Sequence, residues 1–293
     1  EKIRPLLGTC PYTPEAVAEF QAVNRELTVF HAEIVKDYIA ANGVEVDVIG
    51  YEGINLTNYA SGGETGLLGD GKLLAELTGI RVVCNFHAAD IRAGGQGAPL
   101  DPVYYNALCA DIGKPLAVVN ISGITRVTWI GSYGEMTAFD TGPGNAAIDE
   151  WVRKHGGMHM DYNGKLAITG KVNEQIVATM MRHKYFAKYP PKSTNRSEFV
   201  EKLEHLEGLS LEDGAATATA FVAESIAYSL LLYLPEIPKI LIVCGGGAKS
   251  PLWRKIMANV LGIPVDIMKS EEGPGLGGAM LAAVACGEYP SVE

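Results

Sequence analysis

An α/β fold with mixed sheets, arranged as two domains, follows from three features of this 293-residue sequence. Helix-period and strand-period segments alternate from Thr13 to Asn85, as helices packed on a mixed or parallel sheet require. Three short strand-like runs between residues 116 and 140 are joined by turn-like links and predict an antiparallel meander. A late apolar strand, Lys239–Cys244, runs into three glycines and then a helix. A chain of this length that is 47% hydrophobic can bury a large core, more than a single domain needs.

Thr13-Pro14-Glu15 is a helix start signal, a cap followed by proline in the first turn, and Val17, Phe20, Val23, Leu27, Phe30, Ile34, Val35 and Ile39 continue at helical period. Ala41-Asn42-Gly43 ends that helix. Val44–Ile49 alternates as a half-buried strand, Tyr51–Gly66 is a polar, glycine-rich loop, Lys72–Thr78 a short helix and Arg81–Asn85 a second strand. The meander strands are Leu116–Ile121, Thr125–Ile130 and Glu135–Asp140, followed by a helix over Ala146–Lys154 with Asn145 as its N-cap. A helix near Asn173–Arg182 precedes the long apolar helix Ala215–Leu234, whose Glu224, serines and threonines suit a buried helix better than a membrane span. After Lys239–Cys244 come the helix Leu252–Leu261, a last strand Val265–Met268 and a small-residue helix Met280–Cys286.

The composition excludes several classes of partner. A net charge of −10 with no basic run argues against nucleic acid or an anionic membrane. Five scattered cysteines without C-x-x-C spacing suit a reducing cytoplasm and form no metal motif. His155 and His159 have H-x-x-x-H spacing, but Gly156-Gly157 between them opposes the helix that would bring both to one face.

The stretch richest in chemistry is Ala138–Asn145, A-F-D-T-G-P-G-N. It brings a carboxylate to the end of a strand, beside a glycine loop that opens into a helix. Bare loop amides and a helix N-terminus can hold phosphate, and Asp140 can bind a metal ion or take a proton from an attacking group. A tight turn with a capping Asp has the same pattern. Asp90-Ile91-Arg92-Ala93-Gly94-Gly95-Gln96-Gly97-Ala98-Pro99 leaves the backbone bare around one Gln, as a close-fitting ligand or an interdomain connection would. Gly245-Gly246-Gly247-Ala248 after a strand is a nucleotide-cradling arrangement, though its spacing is neither a dinucleotide fingerprint nor a Walker loop. Lys192 and Arg196 lie in a loop where they either face a phosphate or are merely solvated.

These strings resemble one family in order along the chain. I-G-Y-E-G at 49–53, L-G-D and A-E-L-T-G-I within 68–80, D-I-R-A-G-G-Q-G-A-P-L at 90–100, V-N-I-S-G-I at 119–124, F-D-T-G-P-G-N at 139–145, P-P-K-S-T at 190–194 and V-C-G-G-G-A at 243–248 are similar to those of the anhydro-N-acetylmuramic acid kinases. That family belongs to the superfamily of sugar kinases, heat-shock ATPases and actin. The tail, C-G-G-G-A-K-S-P-L-W-R with S-E-E-G-P-G-L-G-G-A and G-E-Y-P-S-V, resembles the xylulose-kinase branch of the same superfamily.

The resemblance implies a two-domain ribonuclease H-like fold with an ATP cleft. It divides the chain into an N-terminal α/β domain at 1–114, carrying the sugar side, and a C-terminal domain at 115–293 with the meander and the nucleotide loop. It implies Asp140 as general base, Asp90, Gly94, Gly95, Gln96, Gly97, Gly142, Gly144 and Asn145 at the sugar and transferred phosphate, and Asn120, Ser122, Gly123, Gly245, Gly246, Gly247 and Ala248 at the nucleotide. ATP and Mg²⁺ are the implied cofactors, and the implied setting is cytoplasmic recycling of cell-wall sugars by a homodimer without nucleic-acid or membrane partners. In the anhydro-sugar kinases, water opens the 1,6-anhydro bridge while O6 takes the phosphoryl group. The alternatives are a ketose or polyol kinase and a nucleotide- or sugar-binding protein without phosphoryl transfer.

The sequence departs from the family strings at defined places. The opening strand and G-T-S-x-D-G-x-D phosphate loop are matched only loosely by Leu7-Gly8-Thr9-Cys10, so the first domain is expected to be N-terminally incomplete. Glu52-Gly53-Ile54-Asn55 stands for H-G-Q-T, Asn85-Phe86-His87 for D-F-R, and Asn195-Arg196 follows Ser193-Thr194 where the family has G-R.

Overall fold

The computed structural model describes residues 2–6, 13–57, 66–95, 97–268 and 274–291. Leu7-Gly8-Thr9-Cys10 lies outside these residues. The chain divides into two compact units, Glu1–Ala107 with Glu272–Glu293, and Leu108–Glu271.

The first unit begins with α1 (Pro14–Asn42), capped by Thr13, whose hydroxyl accepts from the Ala16 amide at 3.2 Å, and closed by Gly43 at φ 61°. Strand β1 (Val48–Tyr51) follows, then β2 (Ile54–Thr57) and β3 (Gly66–Leu68), which pair antiparallel where the sequence predicts only a loop. Helix α2 (Gly71–Thr78) starts at Asp70, whose carboxylate accepts from the Leu73 amide at 3.0 Å. Strand β4 (Arg81–Cys84) lies parallel to β1, completing the predicted β-α-β unit. Two short helices, α3 (Phe86–Arg92) and α4 (Pro102–Leu108), occupy what composition alone presents as loop.

In the second unit, β5 (Leu116–Ile121), β6 (Ile124–Ile130) and β7 (Met136–Pro143) form the predicted meander, and α5 (Asn145–Gly156) follows directly. Gly144, not Asn145, caps α5, and Asn145 is its first residue. Next come α6 (Glu174–Met180), α7 (Ser197–Val200), α8 (Leu211–Tyr233), β8 (Ile240–Cys244), α9 (Pro251–Leu261) and β9 (Val265–Ile267). Five strands make one mixed sheet in the order β7-β6-β5-β8-β9, antiparallel through the meander and parallel from β5 through β9. That order and this mixture of directions are those of a ribonuclease H-like sheet.

Alternation along the strands builds the core of this unit. Ala117, Val119 and Ile121 of β5, Val127 and Trp129 of β6, Phe139 of β7, and Leu241 and Val243 of β8 form one apolar cluster with α5, α8 and α9. Trp151 of α5 anchors the packing against α8, donating its indole N–H to the Leu211 carbonyl at 2.9 Å. Helix α8 is long and apolar enough to cross a membrane by length and composition, yet 72% of its most apolar window is buried within the protein, as predicted for a core helix.

The last helix, α10 (Pro274–Ala285), falls within the first compact unit. It packs on β1 and β4, so the tail belongs with the first unit rather than with the glycine loop that precedes it in sequence. The packing is close because glycine faces glycine: a Cβ added at Gly50 would lie 2.2 Å from the Gly278 carbonyl oxygen. Replacing Gly50 by Ala is therefore expected to destabilise the protein by about 1–3 kcal/mol, the range for overpacking a well-filled contact, as measured by equilibrium denaturation.

Candidate active site

The predicted Asp140 site is built by the meander. Counting back from the Gly131–Glu135 turn, Arg126 of β6 pairs directly across from Asp140 of β7. Between them and the next pair, Thr125 with Gly142, β7 carries one extra residue, Thr141. This bulge accentuates the twist and bends the strand as it approaches the G-P-G-N loop.

Every polar atom of Asp140 has a partner. Its carboxylate Oδ1 accepts from Arg126 Nε at 2.9 Å, and Oδ2 accepts from the Thr194 amide at 2.9 Å. Its backbone N–H donates to the Lys192 carbonyl at 3.1 Å, and its carbonyl accepts from the Tyr185 hydroxyl at 2.7 Å. Asp140 is 0% exposed, so a nucleophile can reach it only after a neighbouring segment yields. The side chain is thus oriented and charge-compensated before any ligand is considered.

Beside it, three chain segments place bare backbone together. The Asn145 amide donates to the Ser122 carbonyl at 2.7 Å, and its side-chain amide donates to the Ile121 carbonyl at 3.0 Å, which fastens the α5 N-terminus to the β5–β6 turn. Gly144 makes this possible, since a Cβ there would lie 2.3 Å from the Ser122 carbonyl oxygen. Gly245, at φ 79°, packs against β5 so tightly that a Cβ would meet Asn120 Oδ1 at 2.4 Å. The structure therefore brings Asn120, Ser122, Gly123, Gly144, Asn145 and Gly245–Ala248 together at the C-terminal ends of the parallel pair β5 and β8, where α/β sheets bind ligands.

This surface suits a nucleotide. Ser122, Gly123, Gly245 and Gly246 are exposed, and above Gly246 an added Cβ would meet only Asn145 Nδ2, at 3.4 Å. A ribose or phosphate can lie flat against such a backbone and face the α5 N-terminus. Among the described residues no group of three His, Cys, Asp or Glu side chains could hold a metal ion.

The residues predicted for the sugar side lie in the first unit. Asp90 sits in α3, and its carboxylate accepts from the Gly97 amide at 2.7 Å while its carbonyl accepts from the Gly95 amide at 2.9 Å. Its observed work is to fold the Gly94–Gly97 turn. Gln96 lies outside the described residues. His87 is buried, with Nδ1 at the Gly97 carbonyl and Nε2 3.4 Å from Glu52 Oε1. Two positions at which the sequence departs from the family strings, Glu52 and His87, are thus neighbours.

Sequence reasoning missed Arg126, Thr194 and Tyr185. Register was the available signal for Arg126: with the strand limits and the turn in hand, the residue opposite Asp140 could be counted. Lys192 also differs from the expected solvated loop residue, being only 4% exposed. Its Nζ makes no hydrogen bond among the described residues and lies over the rings of Tyr233, Tyr185 and Phe139, at 4.2, 4.9 and 5.6 Å from their centroids. Burial, with a smaller contribution from Lys188, lowers its pKa to about 8.

The family model for anhydro-N-acetylmuramic acid kinase matches residues 2–287. This chain belongs to that family. Anhydro-N-acetylmuramic acid kinases of Paramagnetospirillum magneticum and Rhodospirillum rubrum are 42% and 43% identical to it, over 90% of this chain in each case and 75% and 70% of theirs. That of Zymomonas mobilis is 42% identical over 87% of this chain and 70% of its own length. Among solved structures, a xylulose kinase from Lactobacillus acidophilus matches at a TM-score of 0.42 and 13% identity, covering 75% of this chain and 46% of that one, a likeness too distant to argue from. Membership of a kinase family implies ATP as the phosphoryl donor.

Two outcomes test this geometry. Arg126→Met leaves a buried carboxylate uncompensated and is expected to destabilise the protein by about 3 kcal/mol at pH 7, much of which Asp140→Asn in the same chain restores, by chemical denaturation. The lowered pKa of Lys192 means that the unfolded chain holds the Lys192 proton more tightly than the native one. Native stability attributable to this group therefore increases as pH rises from about 8 towards the ordinary lysine value of 10.5, and falls back as pH drops through about 8. Lys192→Met is expected to remove that rise in unfolding free energy.

Proposed function

We propose that this chain phosphorylates 1,6-anhydro-N-acetylmuramic acid at O6 with ATP as donor, water opening the anhydro bridge at C1. The observation that carries this reading is the family match across residues 2–287, which includes F-D-T-G-P-G-N folded as a strand that passes through one cap residue, Gly144, into a helix N-terminus.

In this reading each residue has a role that its position supports. Asp140 acts as general base on the attacking water, its carboxylate plane held by Arg126 and the Thr194 amide. Since Asp140 is buried at rest, substrate binding displaces part of the chain around it. Gly142 and Gly144 lead from this carboxylate to Asn145 at the α5 N-terminus, whose dipole favours the transferred phosphate. Asn120, Ser122, Gly123 and Gly245–Ala248 seat the nucleotide. When bound, ATP supplies the phosphoryl group and Mg²⁺ spreads its charge. Asp90, Gly94, Gly95, Gln96 and Gly97 shape the sugar side, with Asp90 acting through the turn it folds. The atoms balance: water adds across the C1–O6 bond, O6 accepts the phosphoryl group, and ADP with N-acetylmuramic acid 6-phosphate leaves. The setting is cytoplasmic sugar recycling, and a homodimer is the expected assembly.

The test is turnover of the anhydro sugar with ATP in ¹⁸O-labelled water, with the label expected at C1 of the product. Asp140→Asn is expected to lower kcat by about a hundredfold or more while the affinity for Mg-ATP, read by calorimetry, stays within about twofold. Gly246→Val is expected to abolish nucleotide binding. Turnover of a simple ketose with no action on the anhydro sugar would overturn the reading.

A further inference from the structure

Lys192 presents a problem that its sequence neighbours do not explain. A buried ammonium ordinarily has a carboxylate or several carbonyls around it, because desolvation is costly. Here, among the described residues, its compensation is the face of three aromatic rings. An uncharged chain of similar length would fill the same volume without the desolvation cost. A local rule broken in this way points to a use for the charge.

The owners of those rings identify that use. Phe139 is the residue before Asp140 on β7. Tyr185 donates its hydroxyl to the Asp140 carbonyl at 2.7 Å. Tyr233, at the end of α8, donates its hydroxyl to the Phe186 carbonyl and so fixes the turn that carries Tyr185. On the backbone side, the Lys192 carbonyl accepts the Asp140 N–H at 3.1 Å, and two residues on the Thr194 amide donates to Asp140 Oδ2 at 2.9 Å. Of the four partners of Asp140 described above, two come from the Lys192–Thr194 strap and a third from a wall of the Lys192 cage. Thr194 is braced in turn, its hydroxyl donating to Glu198 Oε2 at 2.6 Å.

We propose that Lys192 is the positioning residue for Asp140, its ammonium locking the Lys192–Thr194 strap into the cage of Tyr233, Tyr185 and Phe139 and so fixing the direction of the carboxylate. This rests on the reading of Asp140 as the base. Other charged and titratable groups face the cage without neutralising Lys192. Lys188 lies 5.4 Å from the centroid of Tyr185, and Tyr189 and Tyr228 pack against Tyr233. Burial and the like-charged Lys188 both disfavour the Lys192 ammonium and lower its pKa to about 8, so the cation is held there at a cost.

Amide hydrogen exchange on the full chain, read at Thr194 and Asp140 alongside steady-state kinetics, tests the proposal. Lys192→Met should remain folded, release the Thr194 amide by about tenfold or more, and lower kcat by about tenfold with KM for ATP within about twofold. Lys192→Arg, which restores a cation able to stack on the rings, should recover most of both effects. Unchanged Thr194 exchange in a folded Lys192→Met protein, or unchanged kcat, overturns the proposal. If Lys192→Met does not fold, Tyr233→Leu removes the nearest ring and must release the same amide; full protection there also overturns it. Asp140→Asn separates the two readings: retained turnover would defeat the assignment of the base, whereas the exchange result still decides whether Lys192 fixes the segment.

Discussion

The second unit depends on satisfying one buried carboxylate. Asp140 sits at the end of a central meander with no exposed surface, in a position where an ionised group without partners would be untenable. Arg126 answers it from the opposite strand and the Thr194 amide donates to it from the strap, while the Lys192 carbonyl accepts the Asp140 backbone N–H. Through Tyr185 the same residue reaches the aromatic cluster formed with Phe186, Phe199 and Phe221. Strand register, strap and apolar core therefore constrain one another, and the orientation of this carboxylate becomes a property of the whole unit. Its energetic character follows: such networks specify one arrangement strongly and tolerate the loss of single members badly.

The glycine surface proposed for the nucleotide obeys a different constraint, close approach of backbone to backbone. The β5–β6 turn, the α5 N-terminus and the loop after β8 meet because Gly144 and Gly245 have no side chains to keep them apart. What remains exposed is main chain with room above it, beside a helix end. A surface of this kind recognises phosphate and ribose by shape and dipole rather than by formal charge, which reconciles an acidic chain of net charge −10 with an anionic ligand. In the first unit, polar groups serve local order: Asp90 and His87 each hold the Gly94–Gly97 turn.

Much of this was legible residue by residue. The meander strands, the helix after F-D-T-G-P-G-N, the strand before the triple glycine and the buried character of α8 follow from periodicity and turn residues, which are local properties. The hairpin of β2 and β3 was not legible, since a glycine-rich polar segment reads as a loop until its partner strand is known. The helix α3 was hidden for a similar reason, because small residues and the glycines after it mask a short helical turn. The packing of the tail on β1 and β4 was not legible, because sequence adjacency carries no information about which sheet a helix will cover; Gly50 and Gly278 meet across more than two hundred residues of chain.

By itself the sequence determined the family, the meander with its following helix, and the strand before the triple glycine, because motifs and periods are written in neighbouring residues. Tertiary structure decided what surrounds them. Arg126 becomes the counter-charge of Asp140 only through strand register, and Lys192 changes from a loop cation to a caged one only when β7, α8 and the Tyr185 turn converge. Pairing and burial are long-range properties, set by packing rather than by spacing along the chain, and the electrostatics of this site arise from them.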